Sequence, residues 1–162
     1  MVALRHMGRF AISLLLLGLA ATPARAQPGA FVMSGRCARF SVGAKDMTAG
    51  CTAKLINANN TRGQTTFLFS FSDGAFFSFE GVGARQVKVS ANEVRQPLRS
   101  VVFSLGIEGV AENRLPGEGL CAYSNPYAGR AHVDCSIRTK QLGLITARFL
   151  TDGSAPTAYR PS

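Results

Sequence analysis

Three side chains close to one pair of cysteines are of the types that nucleophilic hydrolysis requires. His132 and Asp134 are two residues apart, and Ser124 lies upstream of them. Residues i and i+2 of a strand share a face, so the imidazole and the carboxylate would be neighbours. Such a pair activates a hydroxyl that lies within reach. Because no G-x-S-x-G segment surrounds Ser124, the sequence favours a surface histidine beside a surface aspartate, and hydrolysis stays the weaker alternative.

No metal or cofactor is expected from the other chemically active residues. His132 is the one histidine that follows residue 26, and the cysteines are spaced far more widely than the C-x-x-C pairs of zinc sites. The glycine-rich segments match neither a phosphate-binding loop nor a dinucleotide fingerprint. These features favour a protein that binds rather than catalyses.

The best candidate for binding is the segment Ala122–His132. Tyrosine and arginine are frequent at binding hot spots, and a proline and flanking cysteines would lower the cost of ordering this loop. We expect its partner to be a protein or an anionic envelope polymer, and not nucleic acid. The candidate binding residues of this segment are Tyr123, Asn125, Tyr127, Arg130 and His132.

The first 26 residues have the layout of a secretory signal peptide. A basic start precedes an apolar run at Phe10–Ala21, and Ala24 and Ala26 stand in the A-x-A pattern that signal peptidase cuts. This run of twelve residues is too short for a membrane-spanning helix, which needs roughly 20. We predict cleavage after Ala26, one mature domain at 27–162 without a transmembrane segment, and a bacterial periplasmic or secreted location.

The mature chain is moderately basic. Loss of Arg5, Arg9 and Arg25 with the signal peptide lowers the number of basic residues from 18 to 15, against 9 acidic residues. The basic residues are spread along the chain and form no run. Charge of this kind would attract envelope polymers and lipid headgroups loosely without defining a site.

Short apolar segments alternate with polar residues and are interrupted by Gly, Asn, Asp and Pro, as is typical of all-β chains. We predict a single small antiparallel β-barrel or barrel-like sandwich of about eight or nine strands. We also predict a helical turn at 90–97 and a loop over 107–120. The predicted strands are 36–42, 51–57, 65–71, 75–81, 85–90, 98–107, 119–124, 131–139 and 142–150.

Six of the eleven phenylalanines lie in Thr65–Gly81, where Asp73-Gly74 predicts a hairpin turn. A two-residue loop would leave both faces mixed, whereas a loop of Ser72-Asp73-Gly74 creates one apolar face. Because a one-residue slip exchanges the faces, we predict the longer loop. Phe76 then lies beside Ser78 and Glu80 on the other face and is a candidate partner contact. The predicted buried face comprises Phe67, Phe69, Phe71, Ala75, Phe77 and Phe79.

An even number of cysteines in an exported chain indicates disulfides, and here Cys37, Cys51, Cys121 and Cys135 predict two. The segments that begin at Gly35 and Gly119 both read G-x-C-A and have the same cysteine spacing, which leaves a duplication of two halves open. Of the three pairings that four cysteines allow, we favour the local one, Cys37–Cys51 with Cys121–Cys135, because it treats both segments alike.

The sequence therefore leads us to expect an exported, non-enzymatic β-domain that binds its partner through the Tyr/Arg loop. An alternative from a different class is a barrel that holds a small apolar ligand inside. That alternative predicts a cavity among Phe67, Phe69, Phe77 and Phe79.

Overall fold

The computed structural model describes residues 29–60 and 63–160, so the predicted signal peptide lies outside the described residues. Within them, eleven strands form one antiparallel sheet, and three short 3-10 turns lie at Thr48–Gly50, Gly83–Arg85 and Pro126–Ala128. The strands are β1 (Gly29–Val42), β2 (Lys45–Asp46), β3 (Cys51–Asn59), β4 (Gln64–Phe71), β5 (Phe76–Val82), β6 (Val87–Lys88), β7 (Glu93–Ser104), β8 (Asn113–Ser124), β9 (His132–Thr139), β10 (Gly143–Thr151) and β11 (Thr157–Ala158).

Eight of these strands close into an up-and-down barrel. The long strands pair in the order β1-β3-β4-β5-β7-β8-β9-β10, and β10 pairs back onto β1 between Gly35 and Val42. Closure leaves this ring without a free edge. The predicted all-β fold is confirmed, and the architecture is the barrel rather than the sandwich.

The lower end of the barrel, where the β4–β5 turn and the β7–β8 loop lie, is packed with aromatic rings. The ring centroid of Phe40 is 4.9 Å from that of Phe71 and 5.1 Å from that of Phe77. Phe69 and Phe79 meet edge to face at 5.6 Å. Pairs with this geometry are stabilising beyond the area that they bury. The interior at this end is therefore filled by side chains.

The phenylalanine hairpin has the predicted register. The amide of Phe71 donates to the carbonyl of Ala75 at 2.9 Å, so Ser72, Asp73 and Gly74 form the loop, and Gly74 has a φ of 85°. The five predicted core phenylalanines are all buried. In β4, the buried residues Phe67, Phe69 and Phe71 alternate with less buried residues, which is the pattern of a strand with one buried face.

The opposite face of β5 is less exposed than the sequence suggests. Ser78 and Glu80 are buried on the outer wall of the barrel. The carboxylate of Glu80 accepts a hydrogen bond from Ser100 at 2.7 Å and pairs with the guanidinium of Arg114. The two polar neighbours of Phe76 are thus covered by neighbouring strands, while Phe76 itself is half-buried.

Three local predictions are wrong, two of them because strand pairing overrides local signals. No helical turn forms at 90–97, since β7 begins at Glu93 and runs through Pro97. The β7 ladder with β5 extends only to Leu98, so the missing N–H of Pro97 falls beyond that ladder. The predicted loop at 107–120 is also shorter, because β8 begins at Asn113. The predicted strand at 85–90 is reduced to the two residues of β6.

The local disulfide pairing is confirmed. Cys37 bonds to Cys51 and Cys121 to Cys135, each with a sequence separation of 14. Cys121 and Cys135 are direct cross-strand partners of β8 and β9.

The two G-x-C-A glycines also share an environment. A Cβ on Gly35 or on Gly119 would lie 2.1 Å from a carbonyl oxygen of the adjacent strand. Their strands, β1 and β8, run in opposite directions in the up-and-down ring. A duplication would therefore not appear as a simple rotation of one half of the barrel onto the other.

Candidate functional site

A cavity of about 430 Å³ opens at the upper end of the barrel, beside the β8–β9 loop. We call this cavity the mouth. Strands β1, β3, β4, β7, β8 and β9 supply its walls, since residues from all six line it. Its apolar lining includes Phe31, Met33, Phe67, Val94, Tyr123 and Val133.

Phe67 and Tyr123 form an aromatic pair in the wall of the mouth. Their ring centroids are 5.0 Å apart, with the planes tilted by 58°. Phe67 is an inward residue of β4 and is only 2% exposed, and Val133 of β9 is equally buried. These side chains separate the mouth from the filled interior below it.

Polar side chains lie along one side of the upper interior. Thr65 donates to the side-chain oxygen of Asn59 at 2.7 Å, and Asn57 and Asn59 both line the mouth. Gln86 donates to the side-chain oxygen of Gln96 at 2.8 Å. Gln96 is fully buried, and its Nε2 has no hydrogen-bond partner among the described residues.

The hydroxyl of Tyr123 lies in a partly dehydrated environment. Burial raises the pKa of Tyr123 to about 12, although a hydrogen bond with the side chain of Gln86 acts in the opposite direction. Burial disfavours the phenolate because a charge loses solvation in a low-dielectric site. The hydroxyl is therefore neutral at physiological pH and can donate or accept a hydrogen bond.

Two loops hold the rim of the mouth in place. The Asn125 side chain accepts a hydrogen bond from the amide of Tyr127 at 3.0 Å, which caps the 3-10 turn. The amide of Asn125 donates to the carbonyl of Asn92 at 3.2 Å, and this bond joins the β8–β9 loop to the β6–β7 loop. Tyr127 is 63% exposed at this rim, and Lys88 lies on the β6 side.

The last described strand, β11, and the residue before it complete the rim. Strand β11 pairs with the start of β1 through Phe31 and Val32. Pro156, just before β11, lines the mouth. The other end of the β8–β9 loop is held by Thr151, whose hydroxyl accepts from the amide of Ala131 at 2.7 Å.

The residues predicted from the sequence as one binding loop are divided between two surfaces. Tyr123, Asn125 and Tyr127 line the mouth. Arg130 and His132 instead line a groove on the outside of the barrel, which we call the outer groove. Phe76 belongs to neither surface, since it lies at the lower end of β5 and pairs with Ser104.

The three residues with hydrolytic chemistry are close together, but one contact is long. The Ser124 hydroxyl is 3.2 Å from Nδ1 of His132, and it also accepts from the His132 amide at 3.0 Å. Nε2 of His132 is 3.9 Å from Asp134, beyond hydrogen-bond range. The Asp134 carboxylate is closer to Nε of Arg148, at 3.3 Å. This geometry supports hydrolysis less well than the mouth supports binding.

Sequence reasoning also missed several mouth residues and misplaced the cavity. Phe69, Phe77 and Phe79 were expected to line it, but their rings pack in the filled interior, and only Phe67 of that set reaches the mouth. The missed residues are far apart along the chain and have no shared motif, so only barrel closure brings them together. They include Phe31, Met33, Lys88, Ala91 and Pro156.

Comparison with protein-family models, with curated proteins and with solved structures finds no match to this chain. Within residues 29–60 and 63–160, no helix has the length and apolar character to cross a membrane. In the same residues, no group of three or more His, Cys, Asp or Glu side chains is placed to hold a metal ion.

Proposed function

We propose that this protein is an exported, non-catalytic binding domain that takes a small, mainly apolar ligand into the mouth. The supporting observation is the difference between the two ends of the barrel. Rings fill the lower interior, whereas the upper end keeps about 430 Å³ lined by aromatic and aliphatic side chains. Cavities of this size and composition commonly hold small molecules.

The lining suggests the shape of the ligand. Phe67 and Tyr123 offer aromatic surface for an apolar body. Asn57 and Asn59 provide amide groups on one side, and the Lys88 ammonium lies at the rim. An apolar molecule with one polar or anionic end would match both kinds of surface.

The disulfides indicate the compartment in which the protein would meet this ligand. Disulfides persist in oxidising compartments, so Cys37–Cys51 and Cys121–Cys135 indicate an extracytoplasmic location. The signal peptide predicted at 1–26 agrees with this location. We place the protein in the bacterial periplasm or medium as part of the proposal.

A bulky side chain at the rim tests whether a ligand enters the mouth. Ala91 is exposed and lines the mouth, so Ala91→Trp should obstruct entry without changing the core. Nile red, a neutral apolar dye, should gain fluorescence with the native protein and lose most of that gain with this variant. Ala111→Trp, in the exposed β7–β8 loop at the other end, is the matched control and should bind like the native protein.

One result with this variant would contradict the proposal. Equal dye binding by the native protein and the Ala91→Trp variant, with both folded by circular dichroism, would show that the mouth is not the site. Native mass spectrometry of protein purified under mild conditions adds a second measurement. We expect a small-molecule adduct on the native protein that is absent from the Ala91→Trp variant.

A second candidate is binding of a protein or an anionic envelope polymer across the rim. The observation in its favour is the 63% exposure of Tyr127 on a loop with both ends anchored. If this candidate holds, Tyr127→Ala should weaken co-sedimentation with isolated anionic cell-wall polymer, and Tyr159→Ala should not. Equal co-sedimentation of both variants and the native protein would remove it.

A further inference from the structure

The outer groove is a second concave surface, separate from the mouth. It has a volume of about 520 Å³ and lies where β1, β9 and β10 meet the β8–β9 loop. Four of its nine lining residues have basic side chains, namely Arg36, Arg130, Arg148 and His132, and Asp152 is the one acidic residue of the lining.

Strand register explains why these side chains share one surface. Leu150 of β10 is the cross-strand partner of Arg36 on β1 and of His132 on β9. Arg148 precedes Leu150 by two residues and therefore shares its face. Neighbouring strands lie about 4.8 Å apart, so long side chains from all three strands reach the same region.

Arg130 reaches the groove from the β8–β9 loop. A Cβ built on Gly153 would lie 3.2 Å from Cγ of Arg130, so the stem of this arginine packs against the turn that follows β10. The β8–β9 loop therefore adds the Arg130 side chain to the surface that β1, β9 and β10 form.

The acidic groups near the groove already have partners. One oxygen of Asp134 is 3.3 Å from Nε of Arg148. Asp152 accepts hydrogen bonds from the amide and hydroxyl of Ser154 at 2.8 and 2.6 Å, and these bonds, with a smaller contribution from the charge of Arg130, lower its pKa. Among the described residues, the Arg36 side chain makes no ion pair or hydrogen bond. Its guanidinium is thus available for an external anion, and Arg130 and Arg148 add positive charge from beside Asp152 and Asp134.

We propose that the outer groove binds the phosphate group of an anionic ligand. Guanidinium groups form paired, charge-assisted hydrogen bonds with oxyanions. A carboxylate has two oxygens, whereas a phosphate monoester has three terminal oxygens that can face arginines approaching from different elements. The volume of the groove also exceeds that of a lone ion, so it can admit the remainder of a small phosphate monoester or the headgroup of phosphatidic acid.

The test compares two double variants with the same loss of charge. Arg36→Gln with Arg130→Gln removes groove charge, and Lys54→Gln with Arg85→Gln removes charge from exposed residues elsewhere. Calorimetric titration with glycerol phosphate measures soluble binding. Co-flotation with phosphatidic acid vesicles, whose headgroup is also a phosphate monoester, against phosphatidylcholine vesicles, measures headgroup binding.

We expect the groove variant to lose at least tenfold in affinity for one of these two probes, and the control variant to stay within twofold of the native protein. The probe that responds identifies the source of the phosphate. The Ala91→Trp variant should retain phosphate binding, because this inference does not depend on the mouth.

Three results would overturn the proposal. Equal losses in the two double variants would mean that only overall charge attracts the anion. Malonate binding as tight as glycerol phosphate binding would assign the groove to carboxylates. Failure of the native protein to bind either probe better than the folded groove variant would remove the site altogether.

Discussion

Glu80 is buried, whereas glutamate side chains are usually exposed to solvent. It is an outward residue of β5, yet it is only 6% exposed, because the flanking strands cover it. Ser100 donates to its carboxylate at 2.7 Å, and Arg114 pairs with it from β8. Both groups contact the same oxygen, Oε2, and a buried carboxylate is tolerated when it is paired and hydrogen-bonded in this way. The outer wall of the barrel thus contains a specific polar contact as well as solvated charge.

Tyr123 gives a prediction about pH. Its pKa is raised from 10.0 to about 12 by burial, so folding favours the neutral phenol. The resulting stability is fully present below about pH 10 and is lost as the pH rises through about 12. A Tyr127→Phe and Tyr159→Phe variant leaves Tyr123 as the only tyrosine, and its absorbance titration should have a midpoint near 12.

Circular dichroism along the same titration provides the control. A midpoint near 10.0 while the protein remains folded would contradict the burial of the Tyr123 hydroxyl. A ligand that fills the mouth should delay this titration further, since it would exclude water from the same phenol.

At the scale of elements, the β4–β5 hairpin shows how burial decides register. The three-residue loop places five phenylalanines on one face, and the structure has that loop. The loop also packs on the β7–β8 loop, because a Cβ on Gly106 would lie 2.6 Å from backbone atoms of Gly74 and Ala75. Two connections far apart in sequence therefore close the lower end together.

A matched pair of glycines tests this contact. Gly106 and Gly109 have similar φ values of 70° and 78°, but a Cβ on Gly109 would meet nothing within 4 Å. Gly109→Ala should cost about 1 kcal/mol for a left-handed backbone alone. Gly106→Ala should cost about 1–3 kcal/mol more, because the added methyl collides with backbone. Urea denaturation measures both, and equal losses would mean that the two loops separate easily.

Strand β7 forms where the local sequence predicts a helical turn. The polar segment before Pro97 resembles a helical turn in sequence, but β7 continues through it. Its pairs run from Glu93 opposite Ser124 to Phe103 opposite Asn113 of β8. The many backbone hydrogen bonds of such a ladder outweigh a weak local propensity.

At the scale of the whole molecule, the two disulfides differ in their surroundings despite their equal spacing. Each has a sequence separation of 14, so the chain-entropy model predicts about 3 kcal/mol for each. Cys121 and Cys135 are buried, whereas Cys37 and Cys51 are half-buried. Access to reductant should therefore distinguish them.

This difference predicts an order of reduction in the folded protein. A thiolate must reach a disulfide sulfur to attack it, so limited dithiothreitol should open Cys37–Cys51 before Cys121–Cys135. Alkylation followed by peptide mass mapping identifies the first pair to open. Early labelling of Cys121 or Cys135, while Cys37 stays oxidised, would contradict the prediction. The same mapping after full unfolding, where both pairs should open together, is the control.

Features that depend on near neighbours in the chain can be predicted from the sequence alone. Alternation of apolar and polar residues indicates the strands, the single apolar face of Thr65–Gly81 selects the hairpin register, and equal cysteine spacing favours the local disulfides. These features arise from side-chain direction in a strand and from burial on one face. The structure confirms all three.

Closure of the barrel sets which end stays open and how the predicted loop is divided between two surfaces. Pairing of β10 with β1 places Arg36 beside the β8–β9 loop and assembles the outer groove. The same closure brings Phe31, Phe67 and Tyr123 around the mouth. These contacts join strands that are far apart in the sequence. No local period or motif records which distant strands will meet.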